Sequence, residues 1–556
     1  MADMDNWSLM AVRDTSSIRI ASISLFAAIS IALLSYIIYA LYLHPLAKYP
    51  GPLLGRLTQC YDFYHAYKGD KHVLFHRLHQ HYGPIVRFSP NTVSINHPAA
   101  LKAIYGHGAN VHKSTFYKCF RAAPQAVSTL LATDKGQHAR KRRVMSQAFS
   151  AEAMRGMEVY VVGLVQDLVD KIDEVVKASD VEKSGWSSTV PMASYLNWLV
   201  FDIMGDLVFG KSFGTLGDKP ENREGIRLLG RAAKRNYVVG AMPILAQRGL
   251  EKWLPFLRSL CLDRCKYLAF GKSQVLARTK ENGFETGTGF PMPELWMEGN
   301  TLIVAGSDTS STTMSAVLFY LLHNPKALRR LETEVRNAFN RSDDIRMGLQ
   351  MQCCSWLRAC IHESMRMSPA VAGLLPREVM EGGFSIPSMD LHFPAGVEIG
   401  VPTYAIQHNA EYVDDPFSFE PDRWLPQDDV LPEDRQNKEA LNSVFCPVSV
   451  GQRSCLGKPL VYMELSIAIA RLVWEYDMRL APEQHPRKST VDEVRHVSFA
   501  PGLLTGGARA CQIRQRELGN TIIVQSYHEP AALEERLQLV HHWDMSEPRP
   551  TFQCRL

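Results

Sequence analysis

Apolar residues recur at every third or fourth position through most of this chain, and that spacing predicts helices. The clearest runs are Asp134–Phe149, Glu152–Val176, Met192–Phe209, Leu295–His323, Lys326–Phe339, Trp356–Met367 and Leu460–Trp474. Strict alternation is confined to short stretches. Ile85–Phe88 and Thr92–Ile95 flank Ser89-Pro90-Asn91 and read as a hairpin, and extended chain is expected again near Val397–Val401 and from Val497 to Ile513. The fold class is mainly α with minor β. Strands do not alternate with helices, which speaks against a doubly wound nucleotide fold. Gly287-Thr288-Gly289 lacks a third glycine and a preceding strand, so it carries no phosphate-binding reading.

One run breaks the helical period by being apolar all round. Ile20–Leu43 is 24 residues without a charge, bracketed by Arg19 and His44. As a helix it would span about 36 Å, enough to cross a bilayer with some tilt. It is too long for a signal peptide, and Tyr36, Tyr39 and Tyr42 form an interfacial aromatic belt at its end. After it, His44-Pro45 and Tyr49-Pro50-Gly51-Pro52 make a stiff, non-helical joint. Basic residues balance across the span, Arg13 and Arg19 against Lys48 and Arg56, so charge does not orient it. The expected organisation is a luminal segment 1–19, an anchor 20–43, a joint 44–56, a catalytic domain 57–514 and a polar extension 515–556.

Composition adds exclusions. Sixty-one basic against 57 acidic residues, a net +4, gives no basis for nucleic-acid binding. Eleven cysteines contain no Cys-x-x-Cys pair, which removes zinc-ribbon and thioredoxin readings. Thiols at this frequency read as reduced core residues, which places the large domain in the cytosol and leaves the Asn6-Trp7-Ser8 sequon facing the lumen.

The most specific segment is Pro447-Val448-Ser449-Val450-Gly451-Gln452-Arg453-Ser454-Cys455-Leu456-Gly457. Its glycines let the backbone turn tightly and approach a flat cofactor. Backbone N–H groups near Cys455, and the positive end of the helix that follows, would hold the sulfur as a thiolate. With no neighbouring Cys or His ligand, it suits a single axial thiolate on haem iron; a buried structural cysteine is the plain alternative.

On these residues the chain resembles the cytochrome P-450 family from Pro50 to about Arg514. The resemblance implies that Cys455 is the proximal haem ligand in a fold with a long central helix over the haem. It departs at Val448, where the family usually has Phe. Ala305-Gly306-Ser307-Asp308-Thr309-Ser310 matches the groove of the central helix, where Asp308 and Thr309 would relay protons to the oxygen chemistry. Glu363 and Arg366, at i and i+3 on one helix face, match with Arg423 a structural Glu-Arg-Arg cluster. His138 and Arg142, within the basic patch His138–Arg143, match haem-propionate contacts and part of a reductase docking face; Arg377 and Arg453 match two further propionate contacts.

The resemblance therefore implies a membrane-anchored haem-thiolate monooxygenase of the endoplasmic reticulum, single-pass with its catalytic domain cytosolic. Its cofactor would be haem b. Electrons would come from NADPH through a separate reductase, because nothing here binds flavin or nicotinamide. Pro369–Leu375, Pro501–Thr505 and Tyr237–Leu245 are apolar and match pocket walls, which implies an apolar substrate such as a terpenoid or polyketide. The joint and anchor resemble filamentous-fungal members that tailor secondary metabolites. Two rivals stay open: a haem-thiolate isomerase or synthase, which typically lacks the acid–threonine pair, and a non-catalytic haem-binding membrane protein.

Overall fold

The computed structural model describes residues 2–179, 186–281, 290–425, 432–480 and 511–515. Helix α1 runs unbroken from Ala2 to Ile38 and continues as a π-helical turn, Tyr39–Leu43. No break in the backbone marks the expected division at residue 19. The 25-residue stretch Arg19–Leu43 has a mean hydropathy of 2.2 and none of its most apolar window is buried, as a membrane span requires. The joint is tied to the body rather than free: Arg87 donates to the Ala40 carbonyl at 2.7 Å, Arg56 to those of Leu41 and Ala47, and Tyr36 to that of Leu57.

The body follows the predicted periodicity closely. Its principal helices are α2 (Cys60–Lys68), α3 (Lys71–Tyr82), α4 (Pro98–Tyr105), α5 (Lys135–Gln147), α6 (Ala151–Lys177), α7 (Met192–Phe209), α8 (Glu224–Gly240), α9 (Pro255–Glu281), α10 (Met292–His323), α11 (Pro325–Ala338), α12 (Ser355–Met367) and α13 (Lys458–Glu475). Asp134 and Ser150 cap α5 and α6 through their side-chain oxygens. Sequence reasoning passed over α8 and α9, whose apolar faces are interrupted by arginine and lysine. One core, built from α6, α7, α10, α11, α12 and α13, surrounds the 32-residue α10.

A five-stranded sheet flanks this bundle, in the order β1 (Ile85–Ser89), β2 (Thr92–Ile95), β7 (Glu398–Gly400), β4 (Arg377–Val379), β3 (Val111–Lys113). The hairpin and the Val397–Val401 strand appear as expected, and β2 runs parallel to β7 with Val93 opposite Ile399. The antiparallel β3–β4 pair sets Lys113 directly opposite Arg377. A small hairpin, β5 (Phe384–Ile386) with β6 (Leu391–Phe393), lies apart, and β8 (Tyr476–Leu480) pairs with β9 (Cys511–Gln515). The latter is the described part of the expected Val497–Ile513 strand. Pro501–Thr505, Gly287–Gly289 and the extension after residue 515 lie outside the described residues.

Candidate active site

Cys455 sits in the loop between the short 3-10 turn Gly451–Arg453 and the start of α13. Ser449 and Gly451 have φ of 59° and 71°, the left-handed turns that fold this loop back on itself. At Gly451 the lack of a side chain is obligatory, since a Cβ would stand 2.0 Å from the Tyr105 carbonyl oxygen at the end of α4. The Cys455 N–H donates to the Val448 carbonyl at 3.0 Å. Its side chain is exposed at the surface of the loop although protein crowds around it. That crowding pushes the thiol above its ordinary value; hydrogen bonds from the Gly457 and Lys458 N–H groups, and the charge of Arg142, act in the opposite direction. The sulfur thus has donors at a helix N-terminus, as the motif predicts.

Beside the loop lies a cavity of about 460 Å³ whose wall includes His138, Arg142, Arg377 and Arg453. Arg142 donates to the Ser454 carbonyl at 2.7 Å, one residue from the sulfur. Arg453 donates to the carbonyls of Ala132 and Thr133, and Arg377 donates to the Tyr117 hydroxyl at 3.3 Å. The four side chains expected to contact the propionates therefore come together around one cavity. Lys113, which sequence reasoning missed, joins them: it is buried, donates to the Leu130 carbonyl at 2.5 Å and rides over the Tyr117 ring. No local pattern marks it, because only the β3–β4 register brings it to Arg377.

These charges oppose one another. Burial, then Arg377, Arg453 and Arg142, holds the Lys113 ammonium well below its usual range. Burial, then Arg453 and Lys113, pushes His138 down to about 3, and burial with Arg377 takes Arg453 down to about 10. No carboxylate is among the described residues lining the cavity. Buried like charges without a counter-ion are unfavourable unless an anion joins them. A flat ligand bearing two carboxylates, with a metal for one sulfur, fits this donor set; haem has both.

The basic patch on α5 divides. Arg140 and Arg143 lie toward solvent, but Lys141 is fully buried, 2.6 Å from Glu294 and 3.7 Å from Glu298 on α10. A lysine expected on a docking face instead locks α5 to the central helix, because it follows the buried side of α5.

On α10, Asp308 is buried and Thr309 donates to the Ala305 carbonyl at 2.5 Å. The helix is unbroken here, contrary to an opened groove. Gly306 has another reason: a Cβ there would lie 2.4 Å from the Met204 sulfur of α7, so glycine permits close helix packing. Thr312 and Thr313 also donate to carbonyls four residues back, whereas Ser310 reaches across to Glu464 of α13 at 2.6 Å. Burial pushes the Glu464 carboxyl up to about 8, so it is mostly protonated at neutral pH.

The Glu363–Arg366–Arg423 cluster forms fully. Arg366 grips Glu363 through two 2.9 Å bonds, Arg423 adds one at 3.1 Å, and Trp424 Nε1, not foreseen, donates to the same carboxylate at 2.8 Å. Of the apolar runs, Tyr237 points its hydroxyl toward the Gly373 backbone in Pro369–Leu375. Val238, Val239 and Leu245, however, are buried in a cluster with Leu257 and Leu260, so most of the Tyr237–Leu245 run is core, not pocket wall.

The sequence profile of the cytochrome P-450 family matches residues 45–229 and 265–502. The chain is 38% identical over 469 residues to cytochrome P-450 monooxygenase poxM of Penicillium oxalicum, covering 82% of this chain and 88% of that one. It is 37% identical to cytochrome P-450 monooxygenase AKT7 of Alternaria alternata, covering 80% and 86%. To cytochrome P-450 monooxygenase atnE of Emericella nidulans it is 35% identical, covering 79% and 87%. The chain therefore belongs to the cytochrome P-450 family, haem-thiolate monooxygenases that take electrons from a redox partner and oxidise small molecules.

Proposed function

We propose that this enzyme is a membrane-anchored tailoring monooxygenase of fungal secondary metabolism, which inserts one oxygen atom of O2 into an apolar terpenoid, polyketide or alkaloid. The observation that carries it is Cys455, at the N-terminus of α13 and beside a cavity lined by cations with no carboxylate among its described residues. Haem b, when bound, supplies the oxygen-activating chemistry. Cys455 would hold its iron through the sulfur. Arg142, Arg377, Arg453 and His138, with Lys113, would hold its propionates, and Gly451 and Gly457 would let the loop approach it. Thr309 and Asp308 would hold and pass a proton on the α10 side of the site.

Electrons come from NADPH through a separate reductase that docks on the side carrying Arg140 and Arg143. The membrane reading gains support from large apolar side chains exposed outside the anchor: Trp253 is 84% exposed, and Leu53, Leu54 and Ile244 are exposed too. An enzyme held against the endoplasmic reticulum membrane by both would meet a lipid-soluble substrate directly.

Cys455→Ser should lose the long-wavelength absorption of the reduced carbonyl complex, because a serine hydroxyl stays protonated. An unchanged spectrum would refute the ligand assignment. Thr309→Ala should bind haem normally yet release more peroxide per NADPH consumed; no rise would leave Thr309 a helix-packing residue. Mass spectrometry of products, after co-expression with a reductase, identifies the substrate.

A further inference from the structure

We propose that Phe149 is the aromatic wall of the Cys455 sulfur, taking the place of the ring that this chain lacks at position 448; the inference rests on Cys455 being the haem ligand. Val448 belongs to the sulfur's own turn, since its carbonyl accepts the Cys455 N–H, but its side chain is short and only half-buried. The loop's other ring, Phe445, is turned to Trp424 and His362, with centroid separations of 4.5 and 5.4 Å. The slot next to the sulfur is framed differently. A methyl placed on Gly457 would stand 3.8 Å from Cys455 Sγ and 3.9 Å from Phe149 Cε1. The sulfur and the Phe149 ring therefore both lie within van der Waals reach of the space that Gly457 leaves open.

Phe149 is well anchored for this. It follows the end of α5, its N–H donates to the Ser146 carbonyl at 3.2 Å, and its ring packs on the main core. The same helix carries Arg142, which holds the Ser454 carbonyl. One element thus clamps the ligand loop and presents a ring to its sulfur. Apolar carbon there covers one flank of an otherwise exposed sulfur and so limits the hydrogen bonds that water adds to those from Gly457 and Lys458. Fewer hydrogen bonds leave a more strongly donating thiolate and a lower iron potential. Phe149 is in this sense a positioning residue: it touches neither substrate nor oxygen.

The test uses the full-length, haem-loaded protein and reads the midpoint potential and the reduced carbonyl spectrum. Phe149→Ala should raise the potential and lose part of the thiolate band on standing. Phe149→Leu, which keeps most of the apolar volume, should give a smaller shift of the same sign, and it decides the matter if the alanine variant does not fold. Val448→Phe in the Phe149→Ala chain should move the potential back toward the parent. Variants with the parent's potential and band overturn the proposal, as does a loss of thermal stability with no change in potential. A parent that lacks the thiolate band overturns the ligand assignment and this inference together; a parent that has it, with unshifted variants, overturns this inference alone.

Discussion

The buried charges around Glu363 and those beside Cys455 are built on opposite principles. Around Glu363 every charge is answered within the protein: Arg366 and Arg423 meet one carboxylate, and the remaining Arg366 donors go to the carbonyls of Gln407, Pro416 and Ser418. Burial alone would raise the Glu363 carboxyl, but Arg366, Arg423 and Trp424 outweigh it and leave it below its ordinary value. Beside Cys455 the reverse holds. Lys113 is depressed by burial, then by Arg377, Arg453 and Arg142, and Arg453 by burial, then Arg377, against the opposing pull of Asp134; no carboxylate is among the described residues lining the cavity. A closed cluster holds segments together, whereas an open one of a single sign is a binding site awaiting a ligand of the other.

The comparison makes predictions that differ in sign. The largest effect belongs to the closed cluster. Glu363→Gln leaves Arg366 buried without its counter-charge and should destabilise the protein by about 3–5 kcal/mol, measured by denaturant unfolding. A loss below about 1 kcal/mol would mean that the cluster is not the lock its bonds suggest.

Removing a charge from the open cluster should do the opposite when no haem is bound. Lys113→Met relieves repulsion, so the haem-free chain should melt at the same or a higher temperature, while haem binds more weakly. A lower melting temperature with unchanged haem affinity would make Lys113 a structural lysine.

The smallest effect concerns pH. His138 is held neutral, with its folded value near 3 against an ordinary 6.5. A depressed value means that its contribution to stability is present above about pH 6.5 and is lost as pH falls toward 3. Haem-free protein should therefore weaken on acidification, and His138→Gln should flatten that slope. Bound propionates would supply negative charge and flatten it too; equal slopes with and without haem would place His138 away from the ligand.

Much of this was legible in the chain. Helix periodicity located α5, α6, α7, α10, α11, α12 and α13 to within a few residues; all but α5, whose buried side chains are His138 and Lys141, place apolar side chains in the main core. The spacing of Gly451, Arg453, Cys455 and Gly457 predicted a loop at a helix start, since tight turns and helix caps are local. The i, i+3 geometry of Glu363 and Arg366 is local as well.

What the chain alone determined, then, is set by neighbours in sequence: the apolar anchor, the helices, the turn that carries the sulfur. Only the tertiary structure decided which side of α5 is buried, and so made Lys141 a core ion pair instead of a docking residue. It also brought Lys113 opposite Arg377, set Trp424 on Glu363, and placed Gly306 against Met204. The physical reason is common to all four. Each depends on two segments distant in sequence meeting across a packed interface, and no spacing within either segment encodes where the other will lie.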